Sequence, residues 1–234
     1  MGRMLSTPLR ELPGFLSTIS MVVDDRRSIV DSLVQAERKS PSRYEPAKAL
    51  FCRVLEGDLN VTQAITQARK VFDEVERKCA LEILEASQGY LARQSAAHVG
   101  PFPSMSVTIL NGLNLSVAPL WPRHLNPQRL MVLHFWRKPL TQWQLGAAGA
   151  VIRSALTQHH PEFAGCEIDF ISVPLPESAS RRRFELHNWT TLKPLDDKNL
   201  RRFWKQFCDA WSVYQGQEPR EIRRRRSPDL FGGR

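Results

Sequence analysis

The most constraining stretch of the sequence is 130–160, LMVLHFWRKPLTQWQLGAAGAVIRSALTQHH, where a strand pattern runs directly into a helix pattern. Leu130 to Trp136 form an almost continuous apolar run, which is typical of a strand that is covered on both faces. Pro139 ends the run, and the hydroxyl of Thr141 is placed to cap a helix. Apolar residues then recur at helical spacing: Trp143, Ala147, Ala148, Val151, Ile152, Ala155 and Leu156. A central strand and a helix packed against its sheet are therefore predicted.

The residues around this pair predict four more strands and a second helix. Apolar or alternating runs bounded by turn residues predict strands over 105–110, 115–120, 166–173 and 183–189. Between the first two, Asn111-Gly112 favours the positive backbone angles of a tight hairpin turn. Asp196-Asp197 begins a last helix, whose apolar residues share one face. The predicted order is βββ-α-ββ-α, with a mostly antiparallel sheet and two packed helices.

The first 98 residues show helical periodicity. Helices are predicted from Asp24 to near Ser40, from Glu45 to Leu55 with Gly57 as the end signal, and from Val61 to Tyr90. Two helices joined by the short turn GDLN fit a helix-turn-helix DNA reader. The helix from Val61 is long and nearly neutral, however, so a scaffold or a homo-oligomer contact is the favoured interpretation.

These patterns divide the chain into four parts. Residues 1–23 have no clean periodicity and are predicted to form an irregular arm, whereas 24–98 form an all-α unit. The Pro- and Gly-containing segment VGPFPS at 99–104 marks the change to strand patterns, so an α+β domain is predicted over 99–215. Residues 216–234 are basic and aperiodic, and we expect a disordered tail. The predicted fold class of the chain is α+β.

The net charge of +9 is unevenly distributed along the chain. Residues 1–98 carry 14 Lys and Arg against 13 Asp and Glu, whereas residues 99–234 carry 19 against 11. A concentration of positive charge favours a polyanionic partner, and nucleic acid is the most common one. The asymmetry therefore favours non-specific association of the C-terminal part with nucleic acid.

The composition also indicates where such a protein works. No apolar run reaches the roughly 20 residues that a bilayer span requires, and the N-terminus lacks the apolar core of a secretory signal. We expect a cytoplasmic protein without a membrane partner. Four cysteines lie far apart without paired spacing, so they are expected to be reduced and buried: Cys52, Cys79, Cys166 and Cys208.

The common catalytic motifs are missing from the sequence. There is no Gly-rich phosphate loop, no GxSxG turn and no HExxH pair. The histidines His134, His187 and His159-His160 do not stand at ligand spacing from a cluster of Cys or carboxylates. No metal and no cofactor are expected, and a non-enzymatic role is favoured.

One pair of carboxylates supports an enzymatic alternative. Asp169 and Glu185 fall on consecutive predicted strands, and His187 follows Glu185 at a two-residue step. If they meet on one sheet face, the two carboxylates can hold a divalent cation for phosphodiester cleavage. This arrangement loosely resembles the PD-(D/E)xK nucleases, although His187 stands where that family has Lys. Simple alternation of polar residues on the wetter face of an edge hairpin explains the same pattern and is the favoured interpretation.

Two groups of arginines are the candidate nucleic-acid contacts. Arg181, Arg182 and Arg183 lie in the loop between the last two predicted strands, and Arg223, Arg224, Arg225 and Arg226 lie in the tail. Guanidinium groups bind phosphate oxygens, and each neutralised phosphate adds salt-dependent affinity. The tryptophans fall mostly at core-facing positions, so base stacking is not predicted from them.

The tail contains a short motif directly after its arginines. Ser227, Asp229, Leu230 and Phe231 belong to the segment SPDLF, which resembles the peptide by which bacterial polymerases and repair proteins dock on the sliding clamp. That peptide prefers Gln at the position of Ser227. Leu230 and Phe231 are two adjacent apolar anchors of the kind that enter a groove on a partner. The resemblance implies that the tail docks on a clamp or on another protein groove.

These observations favour a non-enzymatic accessory or adaptor protein that associates with DNA or with the replication machinery. Two alternatives stay open. The first is a metal-dependent nuclease or phosphodiesterase that uses Asp169 and Glu185. The second is a helical scaffold or oligomerisation protein without a nucleic-acid role.

Overall fold

The computed structural model describes residues 12–23, 25–36, 43–100, 102–118, 121–123, 129–136, 138–177, 179–188 and 195–216. Its helices are α1 (Phe15–Met21), α2 (Arg26–Ala36), α3 (Glu45–Glu56), α4 (Val61–Ala68), α5 (Glu74–Leu91), α6 (Gln142–His159) and α7 (Asp197–Gln215). Its strands are β1 (Met105–Thr108), β2 (Asn114–Val117), β3 (Trp121–Arg123), β4 (Arg129–His134), β5 (Glu167–Ser172) and β6 (Glu185–Asn188). This content confirms the predicted α+β class.

Helix ends follow the capping residues that the sequence indicates. The hydroxyl of Thr141 accepts a hydrogen bond from the Gln144 amide at 3.2 Å, and the Gln144 side chain accepts one from the Thr141 amide at 2.9 Å. This reciprocal capping starts α6 at the predicted place. Gly57 takes a left-handed φ of 83° directly after α3, which confirms the predicted helix end.

A hairpin forms at the predicted dipeptide. β1 and β2 pair antiparallel in a separate two-stranded sheet, with Thr108 opposite Asn114. At the apex of the connection, Asn111 and Gly112 take positive φ angles of 61° and 72°. β1 ends two residues earlier than predicted, since the turn occupies five residues, 109–113, closed by a hydrogen bond from the Ile109 amide to the Leu113 carbonyl at 2.8 Å. β2 begins at Asn114 and ends at Val117, and residues 119–120 of the predicted strand lie outside the described residues.

The main sheet has the order β3-β4-β5-β6. β4 and β5 are parallel and are joined through α6, whereas β3 and β6 pair antiparallel on the outer sides. The prediction of three strands before the first helix that packs on the sheet is wrong. The described residues contain four strands before α6, and β3 is the one that was not predicted. Its three residues include Pro122, which an outer strand tolerates because the missing amide hydrogen is not needed on that side.

The main sheet is covered on both faces, as the apolar run at residues 130–136 predicts. One core unites the sheet with α1, α2, α6, α7 and the β1-β2 hairpin through Leu130, Val132, Ile168 and Phe170. The other core unites it with α3, α4 and α5 through Met131, Leu133, Phe135, Ile171 and Val173. Each core therefore contains residues from both sides of position 98. The division into a helical unit and an α+β domain stays a prediction.

Two predictions about the N-terminal half are wrong. The single helix expected over residues 61–90 is two helices, since α4 ends at Ala68 and Asp73 caps α5 by accepting from the Glu76 amide at 2.9 Å. Phe72 lies in the break and is fully exposed, although its spacing fits the apolar pattern. Within the expected irregular arm, α1 is helical and buries Phe15 and Ile19. A helix of seven residues is too short to show a periodicity.

His134, at the end of β4, is a buried titratable residue. Its side chain is 1% exposed, and its Nδ1 lies 3.1 Å from the Ser172 hydroxyl. Its Nε2 has no hydrogen-bond partner in the part of the chain that the structure describes. Burial lowers the pKa of His134 to about 4 because the charged imidazolium would lose its hydration. The neutral form is therefore the one that the fold accommodates.

We expect this residue to make the protein less stable in mild acid. The unfolded chain takes up the proton first as the pH falls from 6.5 towards about 4, so the free energy of unfolding decreases across that window. The slope contributed by His134 is about 1.4 kcal/mol per pH unit, and His134→Leu should remove it. Urea unfolding at several pH values measures the slope. Exposed His159→Gln is the control and should keep the wild-type slope; equal slopes in His134→Leu and wild type would contradict the prediction.

Candidate nucleic-acid interface

Arg182, at the centre of the predicted arginine loop, points into the protein. Its side chain is 2% exposed, and its Nε lies 3.1 Å from a carboxylate oxygen of Glu82. Its guanidinium also donates to the main-chain carbonyls of Phe135 at 2.9 Å and Val173 at 2.7 Å. These bonds join the loop to α5 and to the ends of β4 and β5. We therefore assign Arg182 to the fold and not to a phosphate contact.

The two neighbours of Arg182 remain at the surface. Arg181 and Arg183 are exposed. Arg181 lines a cavity of about 420 Å³ together with Glu82 and Glu85 of α5. The negative potential of these carboxylates cancels part of the positive potential of Arg181, so the loop attracts a phosphate less strongly. The loop is thus a weaker anion site than its three consecutive arginines predict.

A second group of exposed basic residues lies on α7. Four basic residues of this helix are exposed, and we call them the basic stripe: Lys198, Arg201, Arg202 and Lys205. Apart from the adjacent pair 201–202, they lie three, four or seven positions apart. This spacing places them on one face of the helix, which extends about 10 Å at 1.5 Å per residue. The opposite face is buried through Phe203, Trp204, Phe207, Ala210, Trp211 and Tyr214.

The charges of the basic stripe are largely uncompensated. Within the described residues, Lys198, Arg201 and Arg202 have no ion-pair partner, and Lys205 lies 3.5 Å from Asp209. An exposed pair of this kind contributes little, about 0–1 kcal/mol. Apolar spacing does not reveal the stripe, whereas the same helical spacing applied to Lys and Arg does.

The carboxylate pair of the nuclease alternative does not assemble. In the register of β5 and β6, Asp169 lies opposite Asn188 and Glu185 lies opposite Ser172. Asp169 and Ser172 are three positions apart on one strand, so the two carboxylates project from opposite faces of the sheet. The nuclease alternative requires that they meet on one face, and this condition is not met.

Asp169 is instead part of a buried polar cluster. Its carboxylate is 2% exposed and accepts hydrogen bonds from Arg129 at 3.0 Å and from Asn188 at 2.8 Å. Arg129 also lies 2.8 Å from Glu167. Glu185 forms its own contact, at 3.5 Å from His187. Among the described residues, no three His, Cys, Asp or Glu side chains are grouped as metal ligands would be.

The four cysteines are free thiols. Cys52, Cys79 and Cys208 are buried and Cys166 is half-buried. Burial raises the pKa of Cys52 to about 12 and that of Cys208 to about 11. Since the thiolate is the nucleophilic form, these two side chains are unsuited to covalent catalysis.

Other predicted contacts lie outside the described residues. These are Arg223, Arg224, Arg225, Arg226, Ser227, Asp229, Leu230 and Phe231 of the tail. Among the described residues of the helical unit, the large apolar side chains that are exposed are Phe72 and Val75, next to the break between α4 and α5. Self-association through this unit stays a prediction. None of the described helices combines the length and the apolar character needed to cross a bilayer.

Comparison with known proteins adds no relative. No protein-family model matches the sequence, and no curated protein shows significant similarity to it. The functional interpretation therefore depends on the side chains themselves, and in particular on the basic stripe.

We expect Arg182 and Arg183 to differ sharply in their effect on stability. Arg182→Ala leaves Glu82 and two buried carbonyls without their partner, so the free energy of unfolding should fall by about 3–5 kcal/mol. Arg183→Ala, one residue away and exposed, should change it by less than about 0.5 kcal/mol. Urea unfolding of the two variants measures the difference. A loss below about 1 kcal/mol in Arg182→Ala would contradict a structural role.

Proposed function

We propose that this protein is a non-enzymatic accessory or adaptor protein that associates with DNA through the basic stripe of α7. The observation that carries the proposal is the stripe itself: four exposed cations share one helix face, and within the described residues only Lys205 forms an ion pair, with Asp209. The net charge of +9 supports it, since the excess lies in the part of the sequence that contains α7.

The geometry of the stripe suits the DNA backbone. Duplex DNA carries about one negative charge per 1.7 Å of its axis, so a cationic face of about 10 Å meets several phosphates at once. Lys and Arg contacts to phosphate position a protein on DNA but carry no sequence information. The proposed association is therefore non-specific and strongly dependent on salt.

The proposed role is accessory because the predicted catalytic groups are engaged in the fold. Asp169 is bonded to Arg129 and Asn188, and Glu185, on the opposite face of the sheet, lies 3.5 Å from His187. Among the described residues no grouped metal ligands lie beside this basic surface, which favours a protein that holds DNA near other proteins. In this proposal the tail supplies the second contact, through Leu230 and Phe231.

The stripe predicts a specific loss of DNA binding. The triple variant Lys198→Gln, Arg201→Gln, Lys205→Gln should bind duplex DNA at least about tenfold more weakly at low salt, and the slope of log K against log salt should fall by about three. Fluorescence anisotropy with a labelled duplex across a salt series measures both quantities.

A charge-matched control separates the stripe from net charge. Arg69, Lys70 and Arg93 are exposed residues outside α7, and changing all three to Gln removes the same charge. This control should retain most of the wild-type affinity. An equal loss in both triple variants would assign binding to net charge alone, and a wild-type protein that does not bind at low salt would remove the proposal.

The tail motif predicts docking on a sliding clamp. A synthetic peptide covering Arg223 to Arg234 should bind purified clamp from the same source, because Leu230 and Phe231 supply two adjacent apolar anchors. Titration with a labelled peptide measures the affinity. The matched control is the peptide with Leu230→Ala and Phe231→Ala, which keeps the arginines; equal binding of the two peptides would assign the contact to charge and contradict docking.

A further inference from the structure

A cavity of about 440 Å³ opens beside the basic stripe. It is lined by Val22, Val23, Thr141, Trp143, Gln144 and Arg202. The lining therefore comes from the segment after α1, the start of α6 and the exposed face of α7. Arg202 belongs to both the cavity and the stripe. A single polyanionic ligand can therefore occupy the cavity and extend along α7.

Trp143 presents an aromatic surface to this cavity. Its indole is half-buried and packs edge-to-face against Phe203, with ring centroids 4.9 Å apart and an angle of 70° between the planes. Phe203 is fully buried, so it holds the indole in one orientation. A fixed, partly accessible indole is the surface on which a nucleobase stacks.

The side-chain amide of Gln144, which lines the cavity, already has its hydrogen-bond partners. Gln144 is 4% exposed, and its amide nitrogen donates to the carbonyls of Ser20 and Val22 at 3.0 Å each. Its amide oxygen accepts from the Thr141 amide, which also caps α6. The groups left for a ligand are therefore the indole surface of Trp143, the exposed side chain of Val23, the hydroxyl of Thr141 and the guanidinium of Arg202. A flat apolar ring joined to an anion matches this set.

We propose that the cavity binds an unpaired base of single-stranded DNA, stacked on Trp143, with an adjacent phosphate on Arg202 and the following phosphates along the basic stripe. This inference rests on the proposed function and gives it a substrate class. Bases in a duplex are stacked on one another and cannot enter a side cavity, whereas single-strand binding proteins combine a cationic track with aromatic platforms. The volume lies within the range of small-molecule pockets.

A second cavity on the other side of α7 provides a contrast. It measures about 400 Å³, and Arg201, Trp204 and Asp197 are among its lining residues. Trp204 is 5% exposed, so it offers little surface for stacking, and the carboxylate of Asp197 repels a phosphate. Each cavity is lined by one arginine of the stripe, Arg202 in the first and Arg201 in the second, but only the first has an accessible indole. Arg201 is therefore the matched control for Arg202.

The experiment compares single-stranded and duplex DNA of equal length by fluorescence anisotropy. Trp143→Leu keeps an apolar side chain against Phe203 but removes the stacking surface, so it should weaken single-strand binding by about fivefold or more and change duplex binding by less than about twofold. Arg202→Gln should weaken single-strand binding more than Arg201→Gln, although both remove one charge. Saturating oligonucleotide should quench the tryptophan emission of the wild type. Most of this quenching should be absent in Trp143→Leu.

The outcomes separate this inference from the proposed function. Wild-type protein that binds neither DNA contradicts both. Wild-type protein that binds both, with Trp143→Leu unchanged or weakened equally for both, overturns only the cavity assignment. A deoxynucleoside monophosphate that competes as well as the oligonucleotide would assign the cavity to free nucleotides and overturn the strand assignment. If circular dichroism shows that Trp143→Leu is unfolded, Trp143→Phe decides instead: a smaller aromatic ring should give intermediate single-strand affinity, and wild-type affinity would overturn the proposal.

Discussion

The rest of the structure depends on the burial of the main sheet on both faces. β4 and β5 are parallel neighbours at the centre of that sheet, and their side chains alternate between two apolar cores. Helices from the N-terminal part must cover both cores, so α1 and α2 pack on one side and α3 to α5 on the other. Each fully buried apolar side chain contributes about 1.5–3 kcal/mol, whereas an exposed pair such as Lys205 with Asp209 contributes about 0–1 kcal/mol. The basic stripe therefore contributes little to folding, and its charges are free to make the proposed contact with DNA.

Buried and half-buried charged side chains tie neighbouring elements of this fold together. Arg182 joins the β5–β6 connection to Glu82 of α5, and Arg129 joins Asp169 and Glu167 at the beginnings of the parallel strands. Such pairs cost desolvation, which their mutual attraction and hydrogen bonds must offset, so removing one partner costs more than the pair contributes. Residue type alone does not distinguish a buried tie from a binding residue. Arg182 and Asp169 are examples: the sequence suggests that they bind a ligand, whereas both are buried in the fold.

Local signals in the sequence were sufficient for most of the fold. Thr141, Gly57 and Asn111-Gly112 place their helix start, helix end and turn, because each acts within a few residues. The failures have physical causes. The apolar spacing continues across the break before Asp73, so it predicts one helix. Asp73 is nevertheless the N-cap of a second helix, α5. The short helix α1 and the three-residue strand β3 are too short to show a period, and tertiary packing decides them.

The candidate site was less predictable because it depends on how elements pack. The connection between β5 and β6 is long, so no turn signal sets the register that places Asp169 and Glu185 on opposite faces. The spacing of the basic stripe is present in the sequence, but the cavity beside it exists only where α7 meets the start of α6. Phe203 is central to that contact: it is fully buried and packs against Trp143 at 4.9 Å and Trp204 at 5.1 Å. Because these aromatic contacts fix the rotation of α7 about its axis, they also fix the direction in which its charges point. The apolar face of the helix thus determines where its cationic face meets a ligand.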